Sequence, residues 1–235
     1  MLTLLITGGA GFIGGHTATM AIQNGWKVRI LDNLSTGLEA KAKRLERLGA
    51  EIIIGDIRDE ETVKAAVRGC DAVVHLAAQV SVPRSMEAPK ETFEINVGGT
   101  SNLLHACEIN SVARFVMASS AAVYGTNEAF PLDESDAGVF HSPYADSKWQ
   151  NERQVLEVKT SGMEAVALRF FNVYGTGQRS DGAYAAVIPK FIELAVGGQA
   201  PTIFGNGLQT RDFVHVDDVA KACLLYTSPS PRDGH

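Results

Sequence analysis

The chain has 235 residues, 45% hydrophobic and 20% charged, with a formal net charge of -6. That length suits one large domain, or one domain and part of a second. The acidic balance, with no basic run beyond Lys41–Arg47, excludes nucleic acid and anionic membrane as main partners. No run approaches the length of a membrane span, and the apolar start MLTLLITGG lacks the basic flank and cleavage site of a secretory leader. Cys70, Cys107 and Cys223 show neither paired nor metal-ligand spacing, which points to a reducing compartment, read as the cytoplasm, and to no metal site.

Short β-branched runs alternate with longer helical patterns. TLLIT predicts a first strand, followed by a helix from about Phe12 to Asn24 that Gly25 stops. KVRILD predicts the second strand, then a helix over Leu38–Leu48; EIIIGD the third, then a helix over 60–68; DAVVHLA the fourth. A long helix is expected over about 90–109, then RFVMAS, a helix over 143–160, and EAVALRF. Continuous apolar strands separated by helices indicate a parallel sheet covered on both faces. The expected fold class is therefore α/β, a doubly wound parallel sheet of Rossmann type. Residues 1–171 are expected to form this unit, and 172–222, with one helix over about 187–196, a small and incomplete substrate lobe interleaved with it.

TGGAGFIG, residues 7–14, closes the first strand and opens the first helix. It contains Gly9-x-Gly11-x-x-Gly14, and also Gly8 three and six positions before Gly11 and Gly14. Such a loop gives a tight turn and lets helix N-terminal amides approach a pyrophosphate. A glycine turn without ligand is the bland alternative, but strand, helix and an acid eighteen residues beyond Gly14 agree on a dinucleotide. That acid, Asp32, would accept both hydroxyls of an adenosine ribose and repel a 2'-phosphate, favouring NAD over NADP. Gly8, Gly11, Phe12, Ile13 and Gly14 are thus cofactor candidates, with Asn33, Ile57 and Leu76 on the strand ends around them. Asp56 ends the third strand and is read equally as an adenine contact or a plain turn aspartate.

SPYADSK, residues 142–148, puts Tyr144 four residues before Lys148 on one helix face, with Ser142 as cap and Pro143 in the first turn. An unperturbed tyrosine is too weak an acid to serve as a base near neutrality. A nearby ammonium and a positive nicotinamide ring would both lower its pKa, and Lys148 could also bond the nicotinamide ribose. Tyr-x-x-x-Lys alone is common and structural. Joined to a dinucleotide fold and to Ser120 at the end of the fifth strand, it becomes a catalytic signal.

TGGAGFIG, DNLSTG, GDIRD, HLAAQVSVPRS, NVGGT, SSAAVYG, YADSK, RFFNVYG and TRDFVHVDDVA together resemble the extended short-chain dehydrogenase/reductases, specifically the NAD-dependent nucleotide-sugar epimerase/dehydratase family. The resemblance runs almost end to end, with Gly15 a small departure where relatives often carry a larger residue. It implies that Ser120 bonds the reacting sugar oxygen, with Tyr144 as acid/base and Lys148 as its partner. It also implies that Asn96 holds the site backbone near the cofactor, that Ala77 and Ala78 line the cofactor, and that Asn172 and Arg211 contact a UDP-sugar. Arg84 is read either as a phosphate contact or as a surface residue. A homodimer through the helices at about 90–109 and 143–160 is also implied.

Dehydratases of the family carry Asp-Glu directly after the hydroxyl residue, where this chain has Ala121-Ala122. Alanine transfers no proton, so elimination is disfavoured and C4 epimerisation of UDP-glucose or UDP-N-acetylglucosamine is the expected reaction, a likeness that DGAYAAVIPKF (181–191) shares. A ketoreductase, a dehydrogenase, a dehydratase and a non-catalytic NAD-binding module stay open as alternatives. His75, His105 and His215 are read as interior or edge residues, and LDESD (132–136) as a surface loop that could close over substrate. Resemblance stops after VHVDDVAKA. From Cys223 onward the chain back-translates to a transposase adapter used in library preparation, so 223–235 is expected to be a read-through tail unfavourable for helix. With part of the lobe then missing, the polypeptide is expected to bind NAD better than it turns over sugar.

Overall fold

The computed structural model describes residues 2–127, 131–158, 162–181 and 186–227. Six parallel strands, β1 (Thr3–Thr7), β2 (Lys27–Asp32), β3 (Glu51–Ile54), β4 (Ala72–His75), β5 (Arg114–Ser120) and β6 (Glu164–Phe170), pair in the order β3-β2-β1-β4-β5-β6. Strand side chains alternate between faces, so β1 feeds two cores at once. Leu5 packs with Val73, Phe115, Met117 and Leu103 on one face, whereas Leu4 and Ile6 pack with Ile30, Val74, Val116 and Ala18 on the other. The strand order reverses direction between β1 and β4, and the crevice at their C-terminal ends is where such sheets take ligands.

The helices α1 (Phe12–Gln23), α2 (Glu39–Arg47) and α3 (Glu60–Val67) follow the expected spans closely. The expected long helix at 90–109 is instead built from α5 (Pro89–Phe93), a π turn (Glu94–Gly98) and α6 (Gly99–Ile109). A π turn changes the hydrogen-bond ladder inside a helix, and here side chains take up the carbonyls. Thr100 Oγ1 and Asn151 Nδ2 donate to Asn96 O at 2.6 and 2.9 Å, and Gln154 Nε2 donates to Val97 O at 3.2 Å. A short α4 (Val82–Glu87), capped by Ser81, was not signalled by periodicity because it spans little more than one turn. The helix α7 (Pro143–Val158) starts as predicted, with Ala145 N donating to the Ser142 hydroxyl at 3.2 Å.

Beyond β6 lies a second parallel pair, β7 (Asn172–Tyr174) with β8 (Phe213–His215), and α8 (Val187–Val196) in the segment between them. The last helix, α9 (Val216–Thr227), packs along α1. Here the structure differs from the expectation that the chain from Cys223 disfavours helix. Val216, Val219, Ala220, Cys223, Leu224 and Thr227 recur at helical spacing on one buried face, and Cys223 and Leu224 join the core with Leu4 and Ala18. The serines and prolines that oppose helix begin at Ser228, outside the described residues. Among the described residues, no helix is long and apolar enough to cross a membrane, and no cluster of three metal-ligating side chains occurs.

Candidate active site

A cavity of about 630 Å³ runs along the C-terminal ends of β1, β2, β4 and β5. Its floor is the glycine turn. Gly8 adopts φ +70°, its amide donates to Leu31 O at 2.9 Å, and Gly11 N donates to Gly8 O at 3.1 Å. A Cβ on Gly14 would stand 2.2 Å from Gly8 O, and one on Gly8 would stand 2.8 Å from Ala77 N. Only glycine allows α1 to sit this close to the turn. Gly9 serves packing, because its Cβ would meet Ile30 at 2.7 Å. No side chain caps α1, and Gly11, Phe12, Ile13 and Gly14 line the cavity at its N-terminus, as an anionic diphosphate requires.

Asp32 stands at the end of β2, with Oδ2 accepting from Ala10 N at 2.9 Å and Oδ1 from Leu34 N at 2.8 Å. Each oxygen keeps a lone pair for a ribose hydroxyl, so the turn and the carboxylate fit an adenosine diphosphate moiety. Asn33, Asp56 and Ile57 also line the cavity. Asp56 is nearly saturated. Arg58 grips it through Nε at 3.0 Å and Nη2 at 2.8 Å, Arg58 N adds 2.9 Å, and Asn33 Nδ2 adds 2.9 Å. The Arg58 fork holds this carboxyl far below the usual range.

The loop after β4 brings Leu76, Ala77 and Ala78 to the wall, and a buried polar chain holds it there. Ala77 N donates to Thr7 Oγ1 at 3.2 Å, Thr7 Oγ1 meets His75 Nδ1 at 2.7 Å, and His75 Nε2 meets Thr100 Oγ1 at 3.0 Å. Thr100 donates its own proton to Asn96 O, so the chain assigns the His75 proton to Nε2. Burial, with Lys148 adding, pushes His75 down to about 3 and keeps it neutral. Asn96 is 1% exposed and does not line the cavity, so it would not touch the cofactor, but it holds the site backbone as the resemblance implies. Its Oδ1 accepts from Gln79 N at 2.8 Å, and its Nδ2 donates to Gln79 O at 3.0 Å and to Ser147 Oγ at 2.9 Å. Both ends of the amide are engaged in tying the β4 loop to α7.

Ser120, Tyr144 and Lys148 meet on the cavity wall at the end of β5. Ser120 Oγ accepts from Ala122 N at 3.2 Å, within a 3-10 turn over Ala121–Tyr124. Lys148 Nζ donates to Ala118 O at 2.8 Å, leaving two N–H groups for other acceptors. The expected lowering of Tyr144 by Lys148 is not what this arrangement produces. Burial pushes the Tyr144 phenol up, and Ser120 is the group that opposes it. Burial also pushes Lys148 down to about 8, with the Glu152 carboxylate opposing.

The family pattern of NAD dependent epimerases and dehydratases matches residues 4–233. The chain belongs to this family. It is 43% identical over 225 residues to a putative UDP-glucose 4-epimerase of Methanocaldococcus jannaschii, covering 94% of this chain and 72% of that one. Its fold superposes with a TM-score of 0.91 on the UDP-N-acetylglucosamine 4-epimerase of Methanobrevibacter ruminantium, solved with UDP-N-acetylmuramic acid, at 38% identity over 96% of this chain and 73% of that one. The Thermus thermophilus UDP-glucose 4-epimerase, solved with NAD, gives a TM-score of 0.84 and 37% identity over 95% of this chain and 74% of that one.

Two further residues that the resemblance placed on the nucleotide-sugar, Asn172 on its diphosphate or sugar and Arg211 on its diphosphate, do not line the cavity. The Asn172 amide donates to Asp212 O at 2.8 Å, closing the β7–β8 pair, and Arg211 is exposed, with Nη1 on Thr210 O at 2.7 Å. Arg84 does line the cavity, with its guanidinium 2.8 Å from Glu91. Most of the first half of DGAYAAVIPKF lies outside the described residues. Sequence reasoning passed over Ser119, Gln79 and Gln178 on the wall, and Glu152 and Arg169 behind it. Only Glu152, four positions after Lys148, carried a signal in its spacing.

Proposed function

We infer that this epimerase-family protein catalyses NAD-dependent C4 epimerisation of a UDP-hexose, UDP-glucose/UDP-galactose or UDP-GlcNAc/UDP-GalNAc, through a transient 4-keto sugar. One observation carries the choice within the family: Ala121 and Ala122 follow Ser120 in the 3-10 turn, so no acid or base stands there to expel water. The glycine turn, Asp32 and the β4 loop would hold NAD, which supplies a hydride acceptor at C4 and returns the hydride. The remaining steps belong to side chains. Ser120 orients the sugar O4, Tyr144 takes its proton as the ketone forms and gives it back after the sugar has turned. Lys148 holds a ribose hydroxyl.

Arg84 would exchange Glu91 for phosphate, and Asn172 and Arg211, with the β7–β8 pair and α8, would belong to a substrate-side lobe spanning 172–222, next to a cofactor unit spanning 1–171. The assembly proposed is a homodimer through the 89–109 helices and α7, where Ile109 and Leu156 are 62% and 60% exposed. The deciding experiment is proton NMR of UDP-glucose and UDP-N-acetylglucosamine incubated with the protein and NAD. A new galacto-configured anomeric signal is expected. A 4-keto-6-deoxy product would overturn the argument from the alanines.

A further inference from the structure

Three consecutive residues at the end of β5 come against three residues spaced four apart on α7. Ala118 O accepts from Lys148 Nζ, Ser119 Oγ donates to Glu152 Oε1, and Ser120 is the group that opposes the burial-driven rise of the Tyr144 phenol. The alternation of β5 explains the middle tie: Ser119 follows Phe115 and Met117 on the face that α7 covers, together with Val155 of that helix. Residues four apart on a helix lie one turn apart on one face, so the strand end and the helix meet along three successive turns.

Glu152 is itself held. Arg169 on β6, the ladder partner of Ser119, grips it through Nε to Oε1 at 2.9 Å and Nη2 to Oε2 at 2.8 Å. Arg169 also donates to Glu134 O at 2.7 Å, and its guanidinium lies 4.8 Å from the Tyr124 ring centre and 5.9 Å from that of Trp149. Glu152 is 7% exposed. A buried ion pair adds little net stability over apolar groups of the same volume, yet it fixes geometry strongly, because breaking it leaves an uncompensated charge. A rigid carboxylate at this depth gives Ser119 one allowed position, and with it the neighbours on either side.

We propose that Glu152, clamped by Arg169, is a positioning residue: through Ser119 it sets the end of β5 in register with α7, so that Ser120, Tyr144 and Lys148 reach the cavity at matched heights. The proposal rests on the epimerase reading for its effect on turnover. For its effect on cofactor binding it needs only Lys148 and the cavity. The Glu152 charge also favours the ammonium form of Lys148, which acts in the same direction.

Ser119→Ala tests this while leaving the Glu152–Arg169 pair in place. The expected result is a fall of about tenfold in kcat with KM for UDP-hexose unchanged, since displacements well below an ångström are costly when reacting groups must align. A several-fold weaker NAD Kd and a melting temperature near the parent's are expected alongside. Ser119→Thr, which restores the hydroxyl, should recover both kcat and Kd. Glu152→Asp, which keeps the charge but draws the carboxylate away from Ser119, should repeat the Ser119→Ala pattern. Parental kcat and NAD affinity in Ser119→Ala, whatever its melting temperature, would overturn the proposal. A parent that binds NAD but converts no UDP-hexose would sink the functional reading alone, and the change in NAD Kd would still decide this one.

Discussion

At the scale of the residue, Ser120 carries the most chemistry per atom. Its Oγ accepts from Ala122 N, which leaves the hydroxyl proton and one lone pair to direct at partners. Tyr144 and Lys148 were legible in the sequence because a shared helix face requires only the four-residue spacing between them. The partners of Asn96 were not, since Gln79 and Ser147 are 17 and 51 positions away and only the folded chain brings them to it. Lys148 yields a prediction in pH. Its pKa is lower folded than unfolded, so between about 8 and the ordinary lysine value of 10.5 the unfolded chain binds more protons. Its contribution to stability therefore rises with pH across that window. Function runs the other way, because the ammonium that holds a ribose hydroxyl is lost as pH rises through about 8. NAD affinity should fall on that alkaline limb, and titration calorimetry across the window should show Lys148→Met with weak, flat binding. A parent affinity constant across that limb would remove Lys148 from the cofactor site.

Among the elements, the broken 89–109 helix departs furthest from the pattern in the sequence. Its apolar periodicity reads as one continuous helix, and periodicity says nothing about which carbonyls side chains from elsewhere will satisfy. The π turn exists where Thr100, Asn151 and Gln154 supply donors, and two of those three come from α7. The turn also carries Asn96 to the β4 loop. Asn96→Ala would take their partner from the part-buried Gln79 N and O and leave the buried Ser147 Oγ with Tyr144 O alone, at a cost of about 1–3 kcal/mol for each group left unsatisfied. Urea denaturation should show a loss of at least about 2 kcal/mol, and NAD affinity should weaken as Leu76–Ala78 lose their anchor. Unchanged NAD affinity in a destabilised variant would confine Asn96 to folding.

For the whole molecule, the doubly wound parallel sheet was legible, because buried parallel strands announce themselves as unbroken apolar runs, whereas the order β3-β2-β1-β4-β5-β6 came with the structure. The extent of α9 was not. Serine and proline content argued for an early stop, while Cys223 and Leu224 continued the buried stripe that Val216 begins. Since α9 packs on α1 and over β4 and β5, Leu224→Ala should lower unfolding free energy by about 2–5 kcal/mol in thermal or urea melts. A change under about 0.5 kcal/mol would mean that the helix contributes nothing to the core. The β7–β8 pair has a consequence of another kind. It joins Asn172 to Phe213 by ladder hydrogen bonds across forty-one positions of chain, so the intervening stretch leaves and re-enters the fold at neighbouring points. Most described residues from Ala186 to Asp212 are exposed. Exchanging that stretch for one of another length or sequence should change what the substrate side accepts while leaving the register of β5 against α7 untouched.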